Sequence, residues 1–491
     1  MDVSQSSAGA SPDSSDANVF DVVVAGCGPT GAMLAAELRL HGVRVLVVDP
    51  VTAPKSMVRI VGLHVRSIEL MAMRGLLDRL REHGRVRPAG GFFAGIPGPV
   101  PEGLDTAHAF LLGLPQPVVE RVLQDHAVSL GARVVRGRSV AGFSQDAGGV
   151  VVALDDGTSV RAQFLVGCDG ARSAVRKLAG VGFPGEASRS ETLMGEMEVG
   201  IPPEEVAARV AAVGPVAGSF WLRPFGGVYS VVVPAAGVAG RGSEPTLEDF
   251  RARLRAVAGT DFGVHSPRWL SRFGDATRLA TSYRTGRVLL AGDAAHVHPP
   301  LGGQGLNLGV QDAVNLGWKL AAQVRGWAPE GLLDSYGAER RPVAAAVLDN
   351  TRAQMELSSP GAGPEAARRL LVELMRFVEV NRFLVEKVAA LDVRYDFGEG
   401  PEVLGRRQRD VPVAGGSLYG FMRGGRGLIV DRTGGLDAGG WSDRVDVVVD
   451  PGAAVGAACV LLRPDGHVAW AGGDRVGLEG ALGRWFGAPV G

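Results

Sequence analysis

Val22-Val23-Val24-Ala25, followed at once by Gly26-Cys27-Gly28-Pro29-Thr30-Gly31, decides the fold. Four consecutive apolar residues read as a strand buried on both faces, and the glycines after them permit a tight turn and close approach of the backbone to a pyrophosphate. The helix expected next, from about Thr30 to Leu40, offers its N-terminal N–H groups to those phosphates. Gly42 ends it, Arg44 to Val48 forms a second strand, and Asp49 closes that strand where a carboxylate accepts hydrogen bonds from a ribose. The product is a βαβ unit, the opening of a Rossmann-like α/β domain.

Two more signatures lie far along the chain, Gly167-Cys168-Asp169-Gly170 and Ala291-Gly292-Asp293, each after an apolar run. Strands of a parallel sheet present their carboxyl ends on one side, so three such loops converge on one long phosphate-bearing ligand. Taken alone, the third reads equally as a buried Asp satisfying backbone donors beside a helix cap, and Asp169 of the second reads as ordering its turn through backbone contacts. After the third, Gly302-Gly303-Gln304-Gly305 leads into a helix from about Leu306 to Val324, with Leu306, Val310, Ala313, Val314, Gly317, Leu320, Ala321 and Val324 on one stripe. Asp293 stands to accept from a ribityl hydroxyl, and the N–H groups near Leu306 and Asn307 stand to meet a flavin pyrimidine oxygen. That pair of demands selects FAD over a nicotinamide dinucleotide. A helix N-terminus favours an anion by roughly 0.3–1 kcal/mol, up to about 2 when partly buried, which lowers the reduced flavin's pKa by about one unit.

Gly26 to Gly31, Gly167-Cys168-Asp169-Gly170-Ala171-Arg172-Ser173-Ala174-Val175-Arg176 and Ala291-Gly292-Asp293-Ala294-Ala295-His296-Val297-His298-Pro299-Pro300 resemble the motifs of FAD-dependent aromatic hydroxylases of the para-hydroxybenzoate hydroxylase type. The resemblance runs from about residue 20 to the C-terminus. Trp441 to Asp446, Arg463 to Trp470 and Arg484 to Pro489 resemble the appended third domain of actinomycete hydroxylases that act on angucyclines and other aromatic polyketides. The resemblance implies that Arg59 reaches the FAD phosphates, that Gln116 contacts the cofactor from a helix start, and that Pro300 sets a backbone carbonyl beside the isoalloxazine. With the residues above, the expected cofactor-binding set is Gly26, Gly28, Pro29, Thr30, Gly31, Asp49, Arg59, Gln116, Asp169, Gly292, Asp293, Pro300, Gly303, Gly305, Leu306 and Asn307.

Composition is consistent with this. At 491 residues the chain suggests about three domains. A formal net charge of −1 lacks the concentrated Lys and Arg that nucleic acid or an acidic membrane demands. Cys27, Cys168 and Cys459 form no C-x-x-C pair, so disulfide frameworks, zinc ribbons and dithiol redox centres lack support and a reducing cytoplasm fits. Residues 1–19, rich in Ser, Asp and Ala, read as a disordered tail without the apolar core of a secretory signal, and no 18-residue apolar run suggests a membrane span.

The FAD-binding parts, 20–180 and 285–393, are split by an antiparallel-sheet segment, 181–284, assigned to substrate. Its strands read as Glu191 to Ile201, Ser219 to Arg223 and Val228 to Val233, the last two a hairpin through Pro224-Phe225-Gly226-Gly227. Phe220, Trp221, Phe225 and Tyr229 are candidates to line an aromatic pocket, against the alternative that they are ordinary core. Pro364 to Leu391 reads as one long amphipathic helix packed on the core, through Leu370, Leu371, Leu374, Phe377, Val378, Phe383, Leu384 and Val388. A Gly/Arg/Pro-rich link at 394–416 leads into the last segment of a 394–491 domain, which the resemblance makes thioredoxin-like without C-x-x-C.

His296-x-His298 has no third ligand nearby, so no metal is expected, and Ser173 sits outside any G-x-S-x-G elbow. No carboxylate pair or His/Asp constellation marks a catalytic base. The resemblance implies a class A monooxygenase: NADPH, visiting without a dedicated domain, reduces FAD, and O2 adds to give a C4a-hydroperoxyflavin that hydroxylates a phenolic carbon. The leading substrate is an angucycline-type polyketide, and a homodimer is one admissible assembly. The alternatives are a Baeyer–Villiger or antibiotic-inactivating oxygenase, which shares every cofactor motif, and a non-catalytic flavoprotein that sequesters polyketide.

Overall fold

The computed structural model describes residues 19–53, 60–213, 220–239 and 243–490, with Ile60 described by its backbone alone. Arg59 and residues 1–18 of the expected tail therefore lie outside the described residues.

Val22–Ala25 is fully buried because parallel neighbours flank it on both edges, Val45–Asp49 on one and Phe164–Gly167 on the other. The six-stranded sheet continues outward to Arg133–Arg136 beyond Val45–Asp49, and to Val288–Leu290 and the antiparallel edge Arg284–Thr285 beyond Phe164–Gly167. The strands that end in the three signatures are thus adjacent, in the order Val288–Leu290, Phe164–Gly167, Val22–Ala25. Helix Pro29–Leu40 packs along Gln304–Arg325 and Gln116–Ser129, which covers one face of the sheet. The third-signature helix begins earlier than expected, at Gln304, and is buried nearly throughout.

A second, four-stranded sheet is antiparallel, with Trp221–Phe225 at one edge, then Val228–Pro234, Glu191–Glu198 and His265–Gly274. Helices Pro203–Val213 and Leu247–Ala258 back it, the latter closed by a Thr246/Asp249 capping box.

The segment read as one long helix is two, Ala362–Leu374 and Val378–Ala389. Met375 buries against Phe93 and Ile96, and the Asn381 amide donates to Pro99 O at 2.8 Å. On a continuous helix these two residues stand about 120° apart, so the backbone breaks at Phe377, extended at φ −78°, ψ 128°, to bring both onto one hairpin. Leu371, Leu384 and Val388 pack as expected, but Leu370, Leu374, Phe377, Val378 and Phe383 are exposed.

The C-terminal sheet runs Val445–Val449, Gly427–Asp431, Cys459–Leu462, Val468–Gly472, with its first pair parallel and the others antiparallel. Helix Arg475–Phe486 covers it, and only the short turn Gly439–Trp441 stands between the two parallel strands. Buried charges join this unit to the first sheet's helices. Arg463 donates to Glu339 at 2.7 and 2.8 Å and pairs with Asp465, inside a ring of Trp318, Tyr395, Phe397 and Trp485. Arg74 grips Glu37 at 2.6 and 2.8 Å and donates to Met422 O and Pro464 O.

Candidate functional site

The three signature loops meet within van der Waals reach. A Cβ on Gly26, whose φ is +99°, would lie 2.4 Å from Cys168 O, and one on Gly292, at φ +61°, would lie 2.6 Å from Thr30 Oγ1. Only glycine accommodates both the positive φ and the approach of the next loop. A Cβ on Gly28, by contrast, would meet nothing within 4 Å, so open space lies over the start of the first helix.

Two helices bring bare N-termini to this place. Pro29–Leu40 starts at Gly28 and Gln304–Arg325 at Gly303, and neither has a side-chain cap or an acidic residue in its first turn. Ser173, Thr246 and Asp474 each close another helix with a side-chain cap. The uncapped N–H groups of Thr30 and Gly31, and those of Gly305 and Leu306 in the first turn of the second helix, remain available to an acceptor.

Apart from Arg59, which lies outside the described residues, each remaining expected residue has a definite place. Asp49 is buried at its strand end, where Oδ2 accepts from Cys27 N at 2.6 Å and Oδ1 from Val51 N at 2.8 Å. Asp169 Oδ2 accepts from Ala174 N and Val175 N, so it organises the start of Ala174–Leu178. Gln116 opens its helix and donates to Glu120 at 2.7 Å. Asp293 is exposed in the short turn Gly292–Ala294, and Pro300 is exposed just before the Gln304–Arg325 helix. The Asn307 side chain does different work from its N–H: its Oδ1 accepts from His64 N, and its Nδ2 donates to Gly62 O and Gly303 O.

Several members went unnoticed in the sequence. Gln124 donates to Cys27 O at 2.6 Å and accepts from Arg136 at 2.6 Å, bracing the first loop from behind. Its signal was there: Gln116, Glu120 and Gln124 share one helix face at intervals of four. His64 and His298 flank the start of the Gln304–Arg325 helix, lying 3.6 and 3.7 Å from Cβ positions built on Gly303 and Gly305. Burial pushes both imidazoles down to about 4, with the charge of His296 adding to the effect on His298. They are neutral at physiological pH, so the positive potential at this end of the site is that of the helix. Burial likewise raises the Cys27 thiol to about 11 against the pull of Arg136, which keeps it protonated.

The second sheet divides the four aromatic candidates. Phe220 and Tyr229 pack with Leu222, Val231, Phe250 and Leu254 in the core beneath the helices and are withdrawn from the pocket set. The reason is parity: Leu222 pairs with Val231 and Met197 with Tyr229 on the helix-backed face. Trp221 and Phe225 alternate to the opposite face, in register with Val232 and Val228. That face also carries Met194, Ser230, Trp269 and Glu196, a carboxylic acid only 3% exposed. Burial raises the Glu196 carboxyl against the Trp269 indole and the Arg268 guanidinium. Sequence reading did not single it out.

Among the described residues no group of three His, Cys, Asp or Glu side chains is placed to hold a metal ion. His296 donates instead to Asp312 at 2.6 Å. No described helix is long and apolar enough to cross a membrane.

A family model described as an FAD binding domain matches residues 19–351, and one described as aromatic-ring hydroxylase, C-terminal, matches 402–489. Rifampicin monooxygenase of Streptomyces venezuelae is 59% identical over 472 residues, 96% of this chain and 99% of that one. The solved anhydrotetracycline hydroxylase OxyS from Streptomyces rimosus superposes with a TM-score of 0.88 at 41% identity, covering 96% of this chain and all of that one. CabE, an aromatic hydroxylase from angucycline biosynthesis, superposes at 0.85 with 39% identity, covering 96% of this chain and 100% of the other.

Proposed function

The chain belongs to the FAD-binding aromatic-ring hydroxylase family, and from that premise we propose that it is an NADPH-dependent monooxygenase placing one oxygen atom of O2 on a fused-ring aromatic antibiotic or polyketide. The carrying observation is that three strand-end loops and two uncapped helix N-termini converge in one place. Such a donor set fits FAD: open space over Gly28 admits a pyrophosphate, and bare N–H groups at the second helix suit a pyrimidine oxygen.

In this reading Gly26, Gly28, Pro29, Thr30 and Gly31 hold the pyrophosphate and Asp49 the adenosine ribose, with its carboxylate already oriented by Cys27 N and Val51 N. Asp293 accepts from the ribityl chain, Gly303, Gly305, Leu306 and Asn307 face the pyrimidine, and Pro300 borders the ring. Arg59 and Gln116 are assigned to the phosphates, and Asp169 shapes the turn that opens Ala174–Leu178. Bound FAD supplies the redox chemistry, accepting hydride from NADPH and activating O2. The protein's own work is to orient the aromatic ring, exclude water and manage one phenolic proton. Trp221 and Phe225 offer flat apolar surface to a fused ring, and Ser230 and Glu196 offer polar groups to its hydroxyls. Glu196, whose carboxyl burial raises above its ordinary value and so makes a stronger base as the carboxylate, is suited to accept a hydrogen bond from a substrate hydroxyl and to take up its proton as the phenol ionises.

Rifampicin is the first substrate to test, because the rifampicin monooxygenase likeness spans nearly the whole of both chains. The structural likeness to CabE favours a second reading, hydroxylation of an angucycline-type polyketide during biosynthesis. Purified protein with NADPH, O2 and either compound is expected to consume NADPH in a substrate-dependent manner and give a product heavier by one oxygen. NMR of that product separates a phenol from a ring-expanded ester. Absence of flavin on the purified protein, or of substrate-dependent turnover with both compounds, refutes the assignment.

A further inference from the structure

The turn Gly292–Ala294 is a single short 3-10 turn with an exposed Asp293, and its opening N–H is held by one side chain from another element. Asp312, in the Gln304–Arg325 helix, accepts from Gly292 N at 3.2 Å and from His296 Nε2 at 2.6 Å through the same oxygen, Oδ2. Its other oxygen accepts from Arg340 Nε at 2.8 Å. One fully buried carboxylate therefore ties together the turn that carries Asp293, the strand His296–Val297 that leads to Pro300, and the helix whose first turn carries Leu306 and Asn307.

We propose that Asp312 is a positioning residue that fixes the Gly292–Asp293 turn against the N-terminus of the Gln304–Arg325 helix, so that a ribityl acceptor and the pyrimidine donors stand in one register. The proposal rests on the FAD reading above. The Asp312 carboxylate is a direct side-chain link between these two short backbone pieces, which the proposed flavin spans. The carboxylate suits the task because it stays ionised: burial works to raise its pKa, but His296 and Arg340 outweigh that and hold it below the usual range. The arginine is itself held on the opposite side by the Tyr395 hydroxyl at 3.1 Å, from the segment that enters the C-terminal unit. The hub is thus braced by a part of the chain that touches no proposed cofactor contact.

The test is Asp312→Asn in the full chain, read by three measurements: FAD Kd from flavin fluorescence titration, amide exchange of residues 292–296 in the apoprotein, and the flavin midpoint potential. A rise in Kd of at least roughly tenfold, faster exchange confined to the turn, and a shifted potential are expected. Arg463→Met removes buried ion pairs of the same kind, to Glu339 of helix Ser335–Ser358 and to Asp465 of the C-terminal unit, with no bond to the Gly292–Ala294 turn. It is expected to lower stability while leaving Kd and exchange at 292–296 within about twofold of wild type. Equal effects of the two variants would reduce Asp312 to generic destabilisation and overturn the proposal, as would Asp312→Asn binding FAD like wild type with unchanged exchange. Should Asp312→Asn fail to fold, His296→Asn keeps the Asp312–Arg340 pair and is judged by the same readings in the same direction. If the wild-type protein takes up no FAD, the FAD reading is what fails, and the apoprotein exchange still decides whether Asp312 holds the turn.

Discussion

Replacing Gly28 by Ala separates folding from cofactor binding more cleanly than any other single change at the site. Gly28 has φ −69° and ψ −176°, ordinary for any L-residue, and its Cβ would meet nothing within 4 Å. With no strain and no clash, Ala restricts the unfolded chain and is expected to stabilise the apoprotein by about 0.4–1 kcal/mol. That same methyl group, however, would occupy the space over the helix N-terminus where a pyrophosphate has to approach the backbone. Displacing the phosphate by a fraction of its contact distance forfeits one or two charge-assisted hydrogen bonds, about 1.5–3 kcal/mol each, so Kd for FAD is expected to rise by roughly ten- to a hundredfold or more. Gly26→Ala is the opposite case. Its Cβ would fall 2.4 Å from Cys168 O and 2.8 Å from Cys168 C, backbone atoms with no rotamer to escape into, at φ +99°. The strained backbone costs about 1–3 kcal/mol before the clash is counted, so apoprotein stability and FAD affinity should fall together. Urea unfolding of the apoproteins and flavin titration provide the two axes. Gly28→Ala binding FAD with wild-type affinity would refute the placement of the phosphates, and Gly26→Ala with unchanged stability would refute the loop packing.

Asp293→Ala, a change at an exposed turn, should alter apoprotein stability by no more than about 0.5 kcal/mol yet lower FAD occupancy on purification, visible in the flavin absorbance ratio. Trp221→Ala and Phe225→Ala should raise KM for the aromatic substrate with FAD Kd unchanged, whereas Tyr229→Phe should leave KM alone; the reverse pattern would overturn the assignment of sheet faces. Arg463→Met leaves Glu339 and Asp465 without their bidentate partner and should cost about 3–5 kcal/mol in denaturant unfolding. Burial alone would raise the Glu339 carboxyl, but Arg463 and Lys319 hold it at about 2 against an ordinary 4.5. Its contribution is therefore complete above about pH 4.5 and lost as pH falls toward 2, so Glu339→Gln should flatten stability over that interval.

What could be read in the sequence was whatever is encoded within a few residues. The strand-loop-helix pieces ending in Gly26, Asp169 and Asp293 announce themselves by apolar runs broken by glycine, and the parallel-sheet rule alone brings them together. Alternation along Phe220 to Tyr229 marked strands equally well, but period two says only that neighbours face opposite ways. Which face meets the helices depends on Phe250 and Leu254, contributed by a separate helix, and the sorting of Trp221 from Phe220 waited on that contact. The break at Phe377 likewise answers a hairpin nearly 300 residues upstream, and the helical period runs through it unmarked. The ion pairs that seat the C-terminal unit join residues 124 to 338 positions apart, a separation at which charge pattern carries no pairing information.

Electrostatics distinguishes the two ends of the proposed flavin site. The start of the Gln304–Arg325 helix is bordered by two imidazoles, His64 and His298, which burial holds at about 4. Neither can contribute a positive charge between pH 6 and 9, so stabilisation of an anionic reduced ring falls to the helix dipole, worth about 0.3–1 kcal/mol and up to about 2 in a partly buried setting. A dipole made of peptide groups does not titrate. The flavin midpoint potential should therefore follow pH with the slope set by the flavin's own protons, without an additional break from protein imidazoles. His298→Asn should preserve that profile, while a Lys in place of Leu306, bringing a titrating cation to the first turn, should raise the potential and introduce a break where the ammonium loses its proton. A break in the wild-type profile that vanishes in His298→Asn would show that an imidazolium, and not the helix, carries the charge.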